Sequence, residues 1–282
     1  MTTVQAEPVQ AEPVTSPASV VPVRVERVTQ ARVLRSEWVK MRSLRSTAVT
    51  LGAAVVLMVA MGWIFGWATK ANWSELRPDE QASFNPIDTT LAGFYLAQMA
   101  VGVLGVLLIT GEYATGMIRA TFGAVPQRLP VLWAKATAYA GVTFALMLVA
   151  SFAAFLGGQQ LLGTHGTDLS APGAVRAIVG VAGYLTLIGV FAVALGFVIR
   201  STAGAVAILF GLLLVLPTLG LLLPGSWEDR ILPYLPSNAG STMFGAQPAP
   251  DSLSALASLL VLLAWVGGTM AVAAVLLKRR DA

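Results

Sequence analysis

Apolar residues in this chain gather into long unbroken runs, and polar residues fill the gaps between them. Six runs, roughly 48 to 68, 91 to 111, 134 to 160, 177 to 199, 203 to 223 and 254 to 277, carry no Asp, Glu, Lys or Arg in their interiors. At ~1.5 Å rise per residue, about 20 residues cross the ~30 Å hydrocarbon layer of a bilayer, so each run predicts a membrane-spanning helix. Membrane strands need shorter segments of alternating polarity, a pattern the runs do not show. Composition supports the same reading: 56% of residues are hydrophobic and the mean hydropathy is +0.75, which argues against six buried helices of a soluble protein. The expected fold class is an all-α integral membrane protein with six transmembrane helices.

Charge then orients the spans. If the N-terminus is cytoplasmic, fourteen of the 18 Lys and Arg residues flank the spans on the inner side, and only Lys70, Arg77, Arg176 and Arg230 lie outside. Basic residues are retained in the cytoplasm, so both termini are expected there, in a multi-pass protein of the cell membrane. The sequence pI near 9.7 is assigned to this topology and to anionic lipid rather than to nucleic acid, which is not an expected partner. Trp63, Trp67, Trp73 and Trp133 fall where spans emerge and are expected to anchor at the interface. With no cysteine there is neither a disulfide nor a thiol site. The first 47 residues are too long and too polar for a cleavable signal peptide, and span one is expected to remain as an anchor.

Outside the spans, residues 1 to 28 form an expected disordered cytoplasmic tail, rich in Pro, Ala and Glu and containing VQAEP twice, at Val4 to Pro8 and Val9 to Pro13. Residues 29 to 282 make up the six-span domain. From Thr29 to Ser46 helix formers mix with bases, and Ala31, Leu34, Trp38 and Met41 share a stripe that predicts an amphipathic helix on the inner leaflet, with Glu37, Lys40 and Arg42 among its polar positions. The last outer loop, 224 to 253, mixes apolar residues with Pro233, Pro236 and Asn238. It predicts short interfacial or re-entrant helices, with an ordinary surface loop as the alternative.

Enzyme signatures are missing. His165 is the sole histidine and sits in a glycine-rich outer loop, and there is no HExxH, no G-x-S-x-G and no acidic pair within a span. No Walker A loop occurs, so the chain is expected to bind no cofactor and to hydrolyse no ATP itself. Proton-coupled transport needs ionisable groups inside the bilayer, and the spans lack them; Pro217 is the one residue positioned to break a span. The string Leu156, Gly157, Gly158, Gln159, Gln160 reads as close helix packing followed by a polar helix end, and Gly62 and Gly66, one turn apart, read as a second close approach.

One inner loop, Glu112 to Arg128, is large enough to receive a partner. Tyr113, Met117, Ala120 and Ala124 repeat at helical spacing with Ile118 and Phe122 alongside, predicting a short helix with an exposed apolar ridge. Three segments carry a family resemblance: SEWVKMRSLRST at Ser36 to Thr47, GEYATGMIRATFGAVPQR at Gly111 to Arg128, and LPYLPSNAGSTMFG at Leu232 to Gly245. In this order they resemble the permease subunits of bacterial six-span type 2 ATP-binding-cassette exporters, over nearly everything from about residue 30 onward. The resemblance implies a half-transporter that works with a second permease copy and with separate nucleotide-binding ATPase subunits, which carry the ATP and Mg. It places a coupling helix, the ATPase docking element, at Glu112, Tyr113, Gly116, Met117, Ile118, Arg119 and Phe122. It places a membrane-surface connecting helix at Leu34, Glu37, Trp38, Lys40, Met41 and Arg42, and suggests that Glu112 pairs with a base such as Arg119 or with the partner. Gln98 and Thr143 are the candidate pathway residues, and so apolar an interior suits a hydrophobic or amphiphilic substrate. A membrane-embedded enzyme and a non-transporting anchor or assembly protein are the alternatives.

Overall fold

The computed structural model describes residues 29–43, 45–125, 127–220, 222, 230–245 and 253–280; the tail at 1–28 and parts of the loop at 224–253 lie outside the described residues. Regular structure among the described residues is entirely helical. An N-terminal helix, α1 (Gln30–Ser43), precedes the first span, α2 (Arg45–Ala71). After a short helix, α3 (Pro78–Ala82), the second span begins with α4 (Pro86–Leu91) and continues as α5 (Phe94–Ala114). A surface helix, α6 (Met117–Ala124), leads into the third span, α7 (Arg128–Leu162), and the fourth is α8 (Ala174–Ile199). The fifth comprises α9 (Thr202–Phe210), a π-helical turn (Gly211–Val215) and α10 (Leu216–Gly220). A short helix, α11 (Pro236–Phe244), precedes the sixth span, α12 (Ala255–Arg279). The six candidate spans coincide with the six apolar runs and extend past most of them by a few residues.

Within the bundle, α8 is the spine. It packs against α5, α7 and α12, and its most apolar window is 67% buried, against 22% in α2 and 17% in α12, which lie at the periphery. Lipid tails are as apolar as leucine, so helices in a membrane associate through close fit and internal hydrogen bonds. Both are present. A Cβ on Gly62 would run into the Thr90 carbonyl oxygen, and one on Gly66 would lie 2.7 Å from that of Gly158, so the expected close approach is there. The Tyr139 hydroxyl donates to the Val101 carbonyl at 2.6 Å. Gly157 makes room for the Trp63 ring, whose N–H donates to the Ala153 carbonyl at 3.0 Å. The Gln159 amide donates to the Pro86 carbonyl at 2.9 Å and to the Thr90 hydroxyl at 3.0 Å, the packed segment and polar helix end read from the sequence. Trp67 and Trp133 are exposed on the surface of the bundle. His165 departs from a bare surface residue: its ring stacks on Trp73 with centroids 3.8 Å apart.

Two features break helical regularity. Pro217 lacks an N–H, and its ring would clash with the carbonyl four residues back, at Leu213; the π turn at Gly211–Val215 widens the helix there. The last loop turns back into the bundle. The Trp265 indole donates to the Tyr234 carbonyl at 2.9 Å, Gly240 sits against the Tyr184 ring, and Phe244 meets Phe94 edge to face with centroids 4.8 Å apart. Tyr184 and Trp265 each lie about ten residues inside the start of their span, a depth of about 15 Å. The described part of this loop, helical from Pro236 to Phe244, is therefore packed back against the spans, as a re-entrant segment needs to be, and the surface-loop alternative does not hold for it.

Candidate coupling site

The site forms where α1, the end of α5, α6 and the start of α7 converge. On α1 the inward residues are Val33, Glu37 and Met41, one turn apart. Leu34 and Trp38 of the expected stripe are exposed, at 37% and 48%, but Met41 turns inward, and Glu37, expected among the polar positions, is only 3% exposed. The reason is electrostatic. A carboxylate can face inward when cations wait for it, and the hydrophobic pattern of one helix cannot register them.

The waiting cations are lysines. Lys135, about two turns into α7, places its ammonium 2.7 Å from Glu37 Oε2 and 2.7 Å from Glu112 Oε1. Lys40 adds contacts of 3.0 Å to Glu37 and 3.2 Å to Glu112, and its ammonium reaches the Thr121 hydroxyl of α6 at 3.5 Å. Two carboxylates and two ammoniums make the cluster neutral, and it touches all four helices. Glu112 is buried and paired with these lysines, while Arg119, its suggested partner, is exposed. Burial alone would lower the Lys40 pKa, but hydrogen bonding and charge attraction from Glu37, then Glu112, outweigh it and hold the group above its ordinary 10.5. A raised lysine contributes its stabilisation fully below the unfolded value and loses it as pH climbs through the folded value. The difference in thermal unfolding between wild type and Lys40→Met is therefore expected to be constant from about pH 7 to about pH 10 and to shrink only above that, as read by tryptophan fluorescence.

The loop after α5 turns at Gly116, whose φ of +71° is left-handed, a conformation glycine adopts without a Cβ penalty. α6 then folds back over the bundle. Of the residues expected on a docking ridge, Ile118 and Phe122 are 3% and 7% exposed and anchor the helix instead. The Arg128 guanidinium lies over the Phe122 ring at 5.4 Å, and that of Arg200 over the half-buried Tyr113 ring at 5.0 Å. Gly116, Met117, Arg119 and Ala120 remain exposed on the loop, with Met117 at 50%, while Arg42 is exposed on α1. The reversal at Thr115 and Gly116 puts α6 out of phase with α5, so the spacing from Tyr113 onward does not continue as one stripe.

The two pathway candidates are not brought together. Thr143 is fully buried among packed helices. Gln98 accepts a hydrogen bond from the Tyr184 hydroxyl and borders a recess of about 460 Å3 that also reaches Thr218, Asn238 and Ser241.

The family model described as "ABC-2 family transporter protein" matches residues 33–218, from the inward face of α1 through span five, and so takes in the whole charge cluster. The chain belongs to the ABC-2 transporter family. No curated protein matches it. As an ABC-2 membrane chain it is a permease domain rather than an ATP-binding subunit, and membership implies association with one. In the sequence, Lys135 of this permease reads only as a positive flank of span three. Its place inside a helix, with apolar neighbours on both sides, was the one available signal that it needed a partner.

Proposed function

We propose that this ABC-2 permease forms half of an exporter in the cell membrane, with both termini and the α1–α6 face in the cytoplasm. A second permease copy, identical or related, completes the pathway, and separate ATPase subunits supply ATP and Mg. The observation that carries the reading is the neutral cluster of Glu37, Lys40, Glu112 and Lys135, which ties the exposed α6 knob to α1 and to two spans. A push on Met117 cannot be absorbed by α6 alone, because α6 is anchored through Ile118 and Phe122 and tied through Thr121 to the buried charges. Motion of the ATPase is passed to spans two and three together. Coupling of this kind requires contacts that differ between two states, and a rigid knob on two span ends provides the lever. The recess at Gln98, Thr218, Asn238 and Ser241, beside the π turn, is where we place the pathway wall, for a hydrophobic or amphiphilic substrate.

Met117→Asp tests the docking role. Position 117 opens α6, where an acid is favourable to the helix dipole, so the fold is retained while the apolar contact is lost. Loss of one buried hot-spot contact predicts a drop of about thirtyfold in complex formation with the cognate ATPase, and of transport into vesicles with it. Gly116→Pro, incompatible with a positive φ, is expected to have the same effect. Normal ATP turnover and transport in both variants would remove the docking assignment.

A further inference from the structure

A groove of about 710 Å3 runs between α8, span five and α12, and its walls are apolar apart from Thr269 and Tyr234. Its α12 wall is the stripe Val261, Trp265, Gly268 and Val272; continued by two turns, the stripe arrives at Arg279. Near mid-depth Tyr234 joins the wall, where the Trp265 indole donates to its carbonyl at 2.9 Å. The groove opens on the face that bears α1, where the Arg280 guanidinium reaches the carbonyl of Val198, itself a wall residue, at 3.4 Å. From Val261 to Val272 the groove is about 17 Å long, close to the ~15 Å that one leaflet contributes to the hydrocarbon layer. A Cβ on Gly268 would meet no atom within 4 Å, so no contact inside this chain requires a glycine there, although glycine is unfavourable in a helix interior.

We propose that this groove seats an acyl chain of an anionic phospholipid from the leaflet on the α1 side, with the phosphate held at Arg279 and Arg280. Depth selects the occupant. A transmembrane helix from a second copy would need a surface through the whole bilayer, whereas this groove draws on α8 only from Phe191 to Val198 and on span five only at Ile208 and Leu212, the half of each nearest the α1 side. A single-leaflet tail ends at mid-depth. Charge selects the headgroup, since two arginines at the mouth favour a phosphate with net negative charge over a zwitterion. The inference is independent of the docking role given to α6.

The test is native mass spectrometry of the full chain in neutral detergent, with phosphatidylglycerol or phosphatidylcholine added. Wild type is expected to retain phosphatidylglycerol about tenfold more strongly. Arg279→Gln with Arg280→Gln, both exposed, is expected to abolish that preference and leave phosphatidylcholine binding unchanged. Gly268→Leu fills open space and is expected to lower retention of both lipids severalfold at an unchanged unfolding temperature. Equal retention of the two lipids by wild type, or undiminished retention in Gly268→Leu, would overturn the proposal. A Gly268→Leu chain with unchanged lipid counts but a weakened dimer would overturn it in favour of a second copy.

Discussion

Lys135→Ala is expected to destabilise the protein by about 3 to 5 kcal/mol, the range found when one partner of a buried ion pair is removed. The loss is large because Lys135 is 6% exposed and serves two carboxylates at once. Without it, Glu37 and Glu112 face each other with only the partly exposed Lys40 between them, and two like charges repel strongly in a dry setting. In thermal unfolding followed by tryptophan fluorescence, α1 should detach before the bundle melts. A charge exchange, Glu112→Lys with Lys135→Glu, is expected to recover part of the loss, because it restores neutrality. Replacing all four residues with apolar ones of similar size should be close to neutral in stability, since desolvation offsets much of the attraction, yet it should weaken the mechanical tie between α6 and α1. A Lys135→Ala midpoint equal to wild type would show that the cluster stabilises nothing.

The second large effect is expected at Gly62. Gly62→Val places a branched side chain where the Thr90 carbonyl oxygen already sits, with the Ala154 methyl 3.1 Å from the new Cβ. The obstacle is backbone on α4, so no side-chain rotation relieves it, and α2 must move away from α4 and α7. Overpacking of this kind costs about 1 to 3 kcal/mol and more when backbone must shift, and it should lower the unfolding midpoint sharply. Gly141→Ala is the control, because a Cβ there meets nothing within 4 Å; it is expected to be neutral or slightly stabilising. If Gly62→Val melts with wild type, the close approach of α2 and α4 is not a stabilising contact.

The spans were legible in the sequence because apolar run length is a direct record of bilayer thickness. Their ends were less so: α7 begins at Arg128, ahead of the apolar run, since long basic stems extend along a helix to reach the interface and do not end it. The glycines at 62, 66, 157 and 158 were readable as packing because small residues have few other uses in a span. The charge cluster was not readable. Glu37 and Lys135 are 98 positions apart, and each alone looks like a solvated flank; only the fold shows that they meet. The same blindness put Ile118 and Phe122 on an exposed ridge, because a helical spacing cannot reveal the reversal at Gly116 that turns them inward. Re-entry of the last loop was partly visible in its apolar residues, but its depth depends on Tyr184 and Trp265, which belong to other helices.

The separation of Glu37 from Lys135 also sets an order of events at the ribosome. Translation runs at about 5 to 20 residues per second, so the 98-residue interval leaves the first helix waiting for roughly 5 to 20 s before its main counter-ion has been synthesised. During that time the nascent α1 has an acid on the side it must later bury. It can fasten to the bundle only once the third span begins to emerge, so insertion of the early spans runs ahead of closure of the face that α1 completes.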